Sequence, residues 1–191
     1  MTRASRRNLL WGAAAVLLQL TTIQARAEWS PFGTYWGNVS RAAAQNDANS
    51  VRQLIASGSN PNDTDENNRT GMHVAAMNGN LQIMAILVKG GAKLDARDKL
   101  GNTPLHYASE RGQLEAAKLL LDLKAPVDAE NKQGMTPLMM AAGHGHLEVV
   151  QALLGKGASP TKADFTGRDA ANWALESRKP AVAQAIKRAA R

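Results

Sequence analysis

The chain repeats itself every 33 residues. Asp98-Lys-Leu-Gly-Asn-Thr-Pro-Leu-His-Tyr-Ala overlays Asn131-Lys-Gln-Gly-Met-Thr-Pro-Leu-Met-Met-Ala without a gap. The same step carries Gly101 to Gly134 and Gly167 and back to Asn68, and it carries Leu87 to Leu120 and Leu153. A further step back reaches Val39, Ala42, Leu54, Ile55 and Gly58. Five units follow, at about 32–64, 65–97, 98–130, 131–163 and a shortened 164–191. A unit this short cannot bury its apolar face alone, so the period demands a stack in which each repeat is covered by its neighbours.

Within a unit the residue order predicts two helices. Thr103 and Thr136 suit helix N-caps, with Pro104 and Pro137 at the first helical position, where a missing N–H costs nothing. In the last unit Asp169 takes the cap and Ala170 replaces the proline. Leu105 and Ala108, like Leu138 and Ala141, are spaced for one buried stripe. Gly112 or Gly145 then turns the chain into a second helix, in which Leu147, Val150, Leu153 and Leu154 recur at helical spacing. Gly91 and Gly157 stand at its end, where a left-handed residue is favoured. Lys124 occupies that position in the third unit, a departure expected to cost about 1 kcal/mol against glycine. Asn68 replaces glycine in the loop of the second unit, a conformation asparagine tolerates well.

The run Gly-x-Thr-Pro-Leu-His-x-Ala, followed by Gly-x-Leu-Glu, Leu-Leu and Gly-Ala, resembles the ankyrin repeat over essentially all of residues 32–191. The resemblance implies an all-α solenoid of about five stacked helix-turn-helix units with finger loops. It also implies a non-enzymatic module that binds a partner protein through a concave face of fingers and first helices. Carried over position by position, that face offers Arg69, Met77, Arg97, Lys99, Leu100, Asn102, Arg111, Lys132, Met135, His144, Phe165 and Arg168 as partner-binding residues. Leu100, Met135 and Phe165 are apolar residues at loop positions of successive units, expected to form an exposed strip with a basic rim. Such a strip suits a protein with an acidic border and an apolar centre.

The end units carry polar substitutions, as caps of a stack must. Ser50 and Gln53 stand where the fourth unit has Val149 and Ala152, and Lys187 stands where it has Leu154. The last helix, from about Pro180, keeps Val182 and Ile186 inward and shows Lys187, Arg188 and Arg191 outward, a solvated cap that could also touch anionic lipid. At the other end, Trp29, Phe32, Tyr35 and Trp36 crowd a short segment expected to pack as a lid over the first unit, or else to serve as a second docking surface.

Composition removes most chemistry. With no cysteine, the chain has no disulfide, thiolate zinc site or cysteine nucleophile. It carries no Gly-x-Ser-x-Gly, no phosphate-cradling glycine loop and no His-Glu-x-x-His. His73, His106 and His146 fill framework slots, and His144 with His146 lacks a nearby carboxylate for a metal. No catalytic residue, metal or other cofactor is expected. The net charge of +7 would suggest nucleic acid, but residues 1–27 hold four arginines and no acid, leaving 19 basic and 16 acidic residues in the rest. A body of net +3 with interleaved signs is not a nucleic-acid footprint, and the expected form is a monomer holding a protein partner.

Residues 1–27 read as an address. A basic stretch to Asn8 precedes an uncharged apolar run from Leu9 to Leu18, too short for the about 20 residues of a spanning helix. Ala25-Arg26-Ala27 then offers a small-x-small cleavage site, placing the cut after Ala27. Arg6 and Arg7, followed by Leu9 and Leu10, resemble a twin-arginine signal; a Sec signal and an uncleaved anchor are the alternatives. All three place residues 28–191 outside the cytoplasm, and the first two in the periplasm. Membrane contact is expected only through this leader or the basic C-terminal helix. A membrane-associated scaffold remains an alternative function, as does an accessory to a periplasmic enzyme of oxidative-stress defence. Changing Arg6 and Arg7 together to Lys is expected to abolish export, because the twin-arginine route reads the guanidinium pair. Immunoblotting of periplasmic fractions checks this, and normal accumulation of the double variant would assign the Sec route.

Overall fold

The computed structural model describes residues 38–190, so the leader at 1–27 and the aromatic segment around Trp29 and Trp36 lie outside the described residues. Ten α-helices follow among the described residues, in pairs. They are α1 (Val39–Ala44), α2 (Ala48–Ala56), α3 (Gly71–Asn78), α4 (Leu81–Lys89), α5 (Pro104–Glu110), α6 (Leu114–Asp122), α7 (Pro137–His144), α8 (Leu147–Gly155), α9 (Ala170–Glu176) and α10 (Pro180–Ala189). The odd-numbered helices pack on one another in sequence and so do the even-numbered ones, giving a two-layer, all-α repeat stack. None of these helices is long and apolar enough to cross a membrane.

The layers are close because the inner one is built on alanine. Ala75, Ala108, Ala141 and Ala174 occupy one register and are fully buried. In the outer layer Leu87, Leu120 and Leu153 are fully buried and Ile186 is 1% exposed. Fully burying one such side chain stabilises by about 1.5–3 kcal/mol, so this column is the main apolar support of the stack. Truncating Leu120 or Leu153 to Ala is expected to unfold the array rather than trim it.

Each inner helix begins as its sequence predicts. Thr70, Thr103 and Thr136 are extended N-caps, and the Asp169 carboxylate accepts the Asn172 N–H. Asp47 and Asn80 cap α2 and α4 in the same way, but the last three outer helices behave differently. Gln113, His146 and Lys179 precede α6, α8 and α10 but make no cap with their side chains. The first two reach back to the preceding repeat instead. Gln113 Nε2 donates to the Met77 carbonyl at 3.3 Å, and His146 Nε2 donates to the Glu110 carbonyl at 2.9 Å. Lys179 lays its methylenes against Gly145. That crossing leaves no room for a Cβ in the turn below: one built on Gly112 would lie 2.5 Å from His146 Nδ1, and one on Gly145 2.7 Å from Lys179 Cδ.

Lys124 ends α6 with φ +65°, at the register where Gly91 has +84° and Gly157 +88°. Its side chain is exposed, and nothing in the fold requires it to carry a Cβ there. Lys124→Gly is expected to stabilise the protein by about 1 kcal/mol, read as a higher urea midpoint with an unchanged m-value. A lower midpoint would mean that the unfolded-chain entropy of glycine outweighs the relieved strain.

Candidate functional site

The fingers are built from one aspartate-type turn used four times. Asp65, Asp98, Asn131 and Asp164 each turn a side-chain oxygen onto the backbone N–H groups two and four residues ahead, at 2.8–3.0 Å. The side-chain turn thereby closes the finger, and isolated antiparallel bridges, Thr64 with Thr70 and Ala163 with Asp169, fasten the bases of the first and last. Adjacent fingers are then joined through their backbones: Lys99 N–H donates to Asn67 O at 2.9 Å, Lys132 N–H to Leu100 O at 2.9 Å, and Phe165 N–H to Gln133 O at 3.1 Å. The row of finger tips is therefore a fixed surface.

Two buried imidazoles lock this row to the helices. His73 Nδ1 accepts the Thr70 N–H and His106 Nδ1 accepts the Thr103 N–H, each at 3.0 Å. An acceptor Nδ1 makes Nε2 the protonated nitrogen. His73 Nε2 donates to the Asn102 carbonyl at 3.1 Å and His106 Nε2 to the Met135 carbonyl at 3.0 Å, each in the next repeat. In the fourth repeat Met139 stands at this slot; its sulfur accepts the Thr136 N–H at 3.4 Å but carries no proton to pass on.

This locking explains two corrections to the sequence expectation. Met135 and Asn102 follow the left-handed residue of their fingers, and their carbonyls are the histidine acceptors. Met135 is 9% exposed and belongs to the apolar core, so the expected three-residue strip does not exist. Asn102 is 5% exposed, and its side-chain oxygen accepts the Asn131 amide at 2.9 Å. Both support the fingers from beneath.

The other expected residues divide by what they touch. Leu100 and Phe165 are 63% and 74% exposed. They lie one residue out of register, with Lys132 and Gln133 of the intervening finger between them. One side of the Phe165 ring lies against Gly134. Lys99, Arg111 and Lys132 are exposed and form no ion pair among the described residues. Arg97 is exposed, and its guanidinium donates to the carbonyls of Gly101 and Glu130. Arg69 is neutralised by Asp65 at 2.8 Å. Met77 is half-buried against the core. His144 is exposed, donates Nδ1–H to the Met140 carbonyl at 3.0 Å, and lies parallel to His146 with ring centres 6.0 Å apart.

Arg168 is the most engaged of the set. It stacks 3.9 Å over the Trp173 ring and pairs with Glu176 at 2.9 Å and Asp164 at 3.6 Å. Asp164 is buried, which opposes its charge; yet hydrogen bonds from Thr166, the Arg168 N–H and the Trp173 indole outweigh that cost and hold its pKa at about 2. Trp173, Met135, Phe165, Arg168 and Gln133 line a shallow hollow between the last two fingers. Sequence reasoning passed over Trp173 and Tyr107. Their signal was there: each lies nine residues after a finger aspartate and donates to it, Tyr107 to Asp98 at 2.6 Å and Trp173 to Asp164 at 3.0 Å.

Among the described residues, no three histidine or acidic side chains gather where a metal could bind. A family model described as ankyrin repeats (3 copies) matches residues 39–131 and 123–190. The chain belongs to the ankyrin-repeat family. No curated protein matches it. Ankyrin repeats generally mediate protein–protein interaction.

The buried histidines make the stack sensitive to acid. Burial lowers the pKa of both rings, that of His106 to about 4 from an ordinary value of 6.5. The unfolded chain therefore binds more protons than the folded one between about pH 6.5 and 4. Stability is full above this window and falls as pH drops through it, by on the order of 3 kcal/mol from His106. Urea unfolding at steps from pH 7 to 4 checks this, and His106→Asn is expected to flatten much of the slope.

Proposed function

We propose that residues 28–191 form an exported, non-enzymatic ankyrin module, residing in the periplasm, that holds a partner protein on its finger and inner-helix face. The observation that carries the reading is the finger row itself. Two large apolar side chains, Leu100 and Phe165, stand mostly in solvent on backbone-fastened loops. On the same face Lys99 and Lys132 of the fingers and Arg111 at the end of an inner helix have no carboxylate to answer them among the described residues. Exposed anchors on a rigid support bind with little ordering cost, while unpaired cations at the rim steer the encounter. The leader pattern at residues 1–27 supports the exported location.

The test separates face from framework. Leu100→Ser with Phe165→Ser is expected to weaken the partner by about 2 kcal/mol or more, some 30-fold in Kd, with helicity and Tm nearly unchanged. Met135→Ser is expected to act through the core instead and lower Tm. The measurement is quantitative capture from periplasmic extract on immobilised wild-type and variant protein, with circular dichroism melts alongside. Wild-type capture by the double variant would refute the finger face as the binding site.

A further inference from the structure

The exposed end of the fifth repeat has a composition that its role as a cap does not require. Three registers of the internal repeats are wholly or partly covered in the stack. The first holds Ala76, Ser109 and Ala142, all fully buried; in the last repeat it holds Leu175, which is 47% exposed. The second holds the half-buried Val88 and Leu154 and the buried Leu121; in the last repeat it holds the exposed Lys187. The third holds Gly79, Gly112 and Gly145, where a Cβ would strike the next repeat's Gln113, His146 or Lys179; in the first repeat it holds Asn46, whose side chain instead accepts the Asn80 amide. In the last repeat it holds Arg178, which is exposed.

Arg178 keeps the left-handed conformation of those glycines, with φ +57°, in spite of its side chain. Glycine would fit this backbone with less strain, so a long cation here is held against local preference. It is exposed, as are Lys179, Lys187 and Arg188, and none of the four is engaged by an acid among the described residues. Residues 177–191 contain five basic residues and no acidic one, the densest one-sign segment of the repeat array. Glu176, the nearest acid in sequence, is occupied by Arg168.

The geometry points to this end of the stack as a docking face for an anionic phospholipid bilayer, independent of the finger face. Arg178 follows the inner helix and Lys187 and Arg188 lie on the outer one, so both helix layers contribute cations here, which suits a uniformly negative surface. Leu175 at its centre can enter the headgroup region. Each cation near such a surface is worth about fivefold in affinity, so Arg178, Lys187 and Arg188 together account for about 10²-fold.

The chain has no cysteine, so a single introduced thiol can carry an environment-sensitive dye at a known place. Asn172→Cys puts it on the end face and Lys118→Cys on the outer face of the third repeat, both exposed positions. The full chain labelled at residue 172 is titrated with phosphatidylglycerol vesicles, with phosphatidylcholine vesicles and with polyglutamate. The expected result is a blue shift on phosphatidylglycerol alone, absent from the residue 118 label and abolished by 0.5 M salt. The variant Arg178→Gly, Lys187→Gln, Arg188→Gln is expected to need about 10²-fold more lipid. The same variant is expected to melt a few degrees higher, since glycine relieves the strained turn. A cap that served stability alone would not give that opposition. An equal response on phosphatidylcholine, or an unchanged titration in the variant, would overturn the proposal. A response to polyglutamate without one to vesicles would assign the face to an acidic protein instead.

Discussion

The fold depends on polar groups that bond between repeats where water cannot reach. His73 and His106 sit at 0% and 1% exposure, and each spends one ring nitrogen on its own helix cap and the other on the next finger. A buried, unpaired imidazole would be costly, so the next repeat is what makes the residue tolerable. Apolar columns such as Leu87, Leu120 and Leu153 supply more free energy, but they would permit sliding. The directed bonds set the register, and the finger ladder inherits it.

A rigid framework decides what its surface can present. Since the finger backbones are bound to one another and to buried histidines, side chains on them fall into fixed inward and outward positions. Met135 and Asn102 turn inward, Leu100 and Phe165 outward, although all four occupy the same kind of loop. The cations divide likewise. Arg69 and Arg168 are answered within their own repeats, whereas Lys99, Arg111 and Lys132 are not. What is offered to a partner is therefore a smaller and more specific surface than a count of loop residues implies.

The two ends of a repeat array obey a different rule from its middle. Positions that are small in the internal repeats, where the next repeat crosses them, carry larger side chains in the last repeat. Arg178 and Leu175 stand at such positions, and Lys187 stands at one that is apolar inside. A terminal face is thus a second place where an ankyrin array can acquire a surface without disturbing its stack.

The sequence by itself determined the period, the helix order, the threonine and aspartate caps and the left-handed backbone at Asn68 and Lys124. Those follow from local chemistry: a cap needs an oxygen, and a positive φ admits few residue types. It also marked the framework role of His73, His106 and His146. Only the tertiary structure decided which loop side chains reach solvent. Met135 looked like a partner anchor because it is apolar and lies in a loop; it is buried because its carbonyl must meet His106 of the repeat before it. Arg168 looked like a free cation until Glu176, eight residues away, was placed beside it. Such pairings depend on the separation and rotation of neighbouring repeats, quantities that no single 33-residue segment contains.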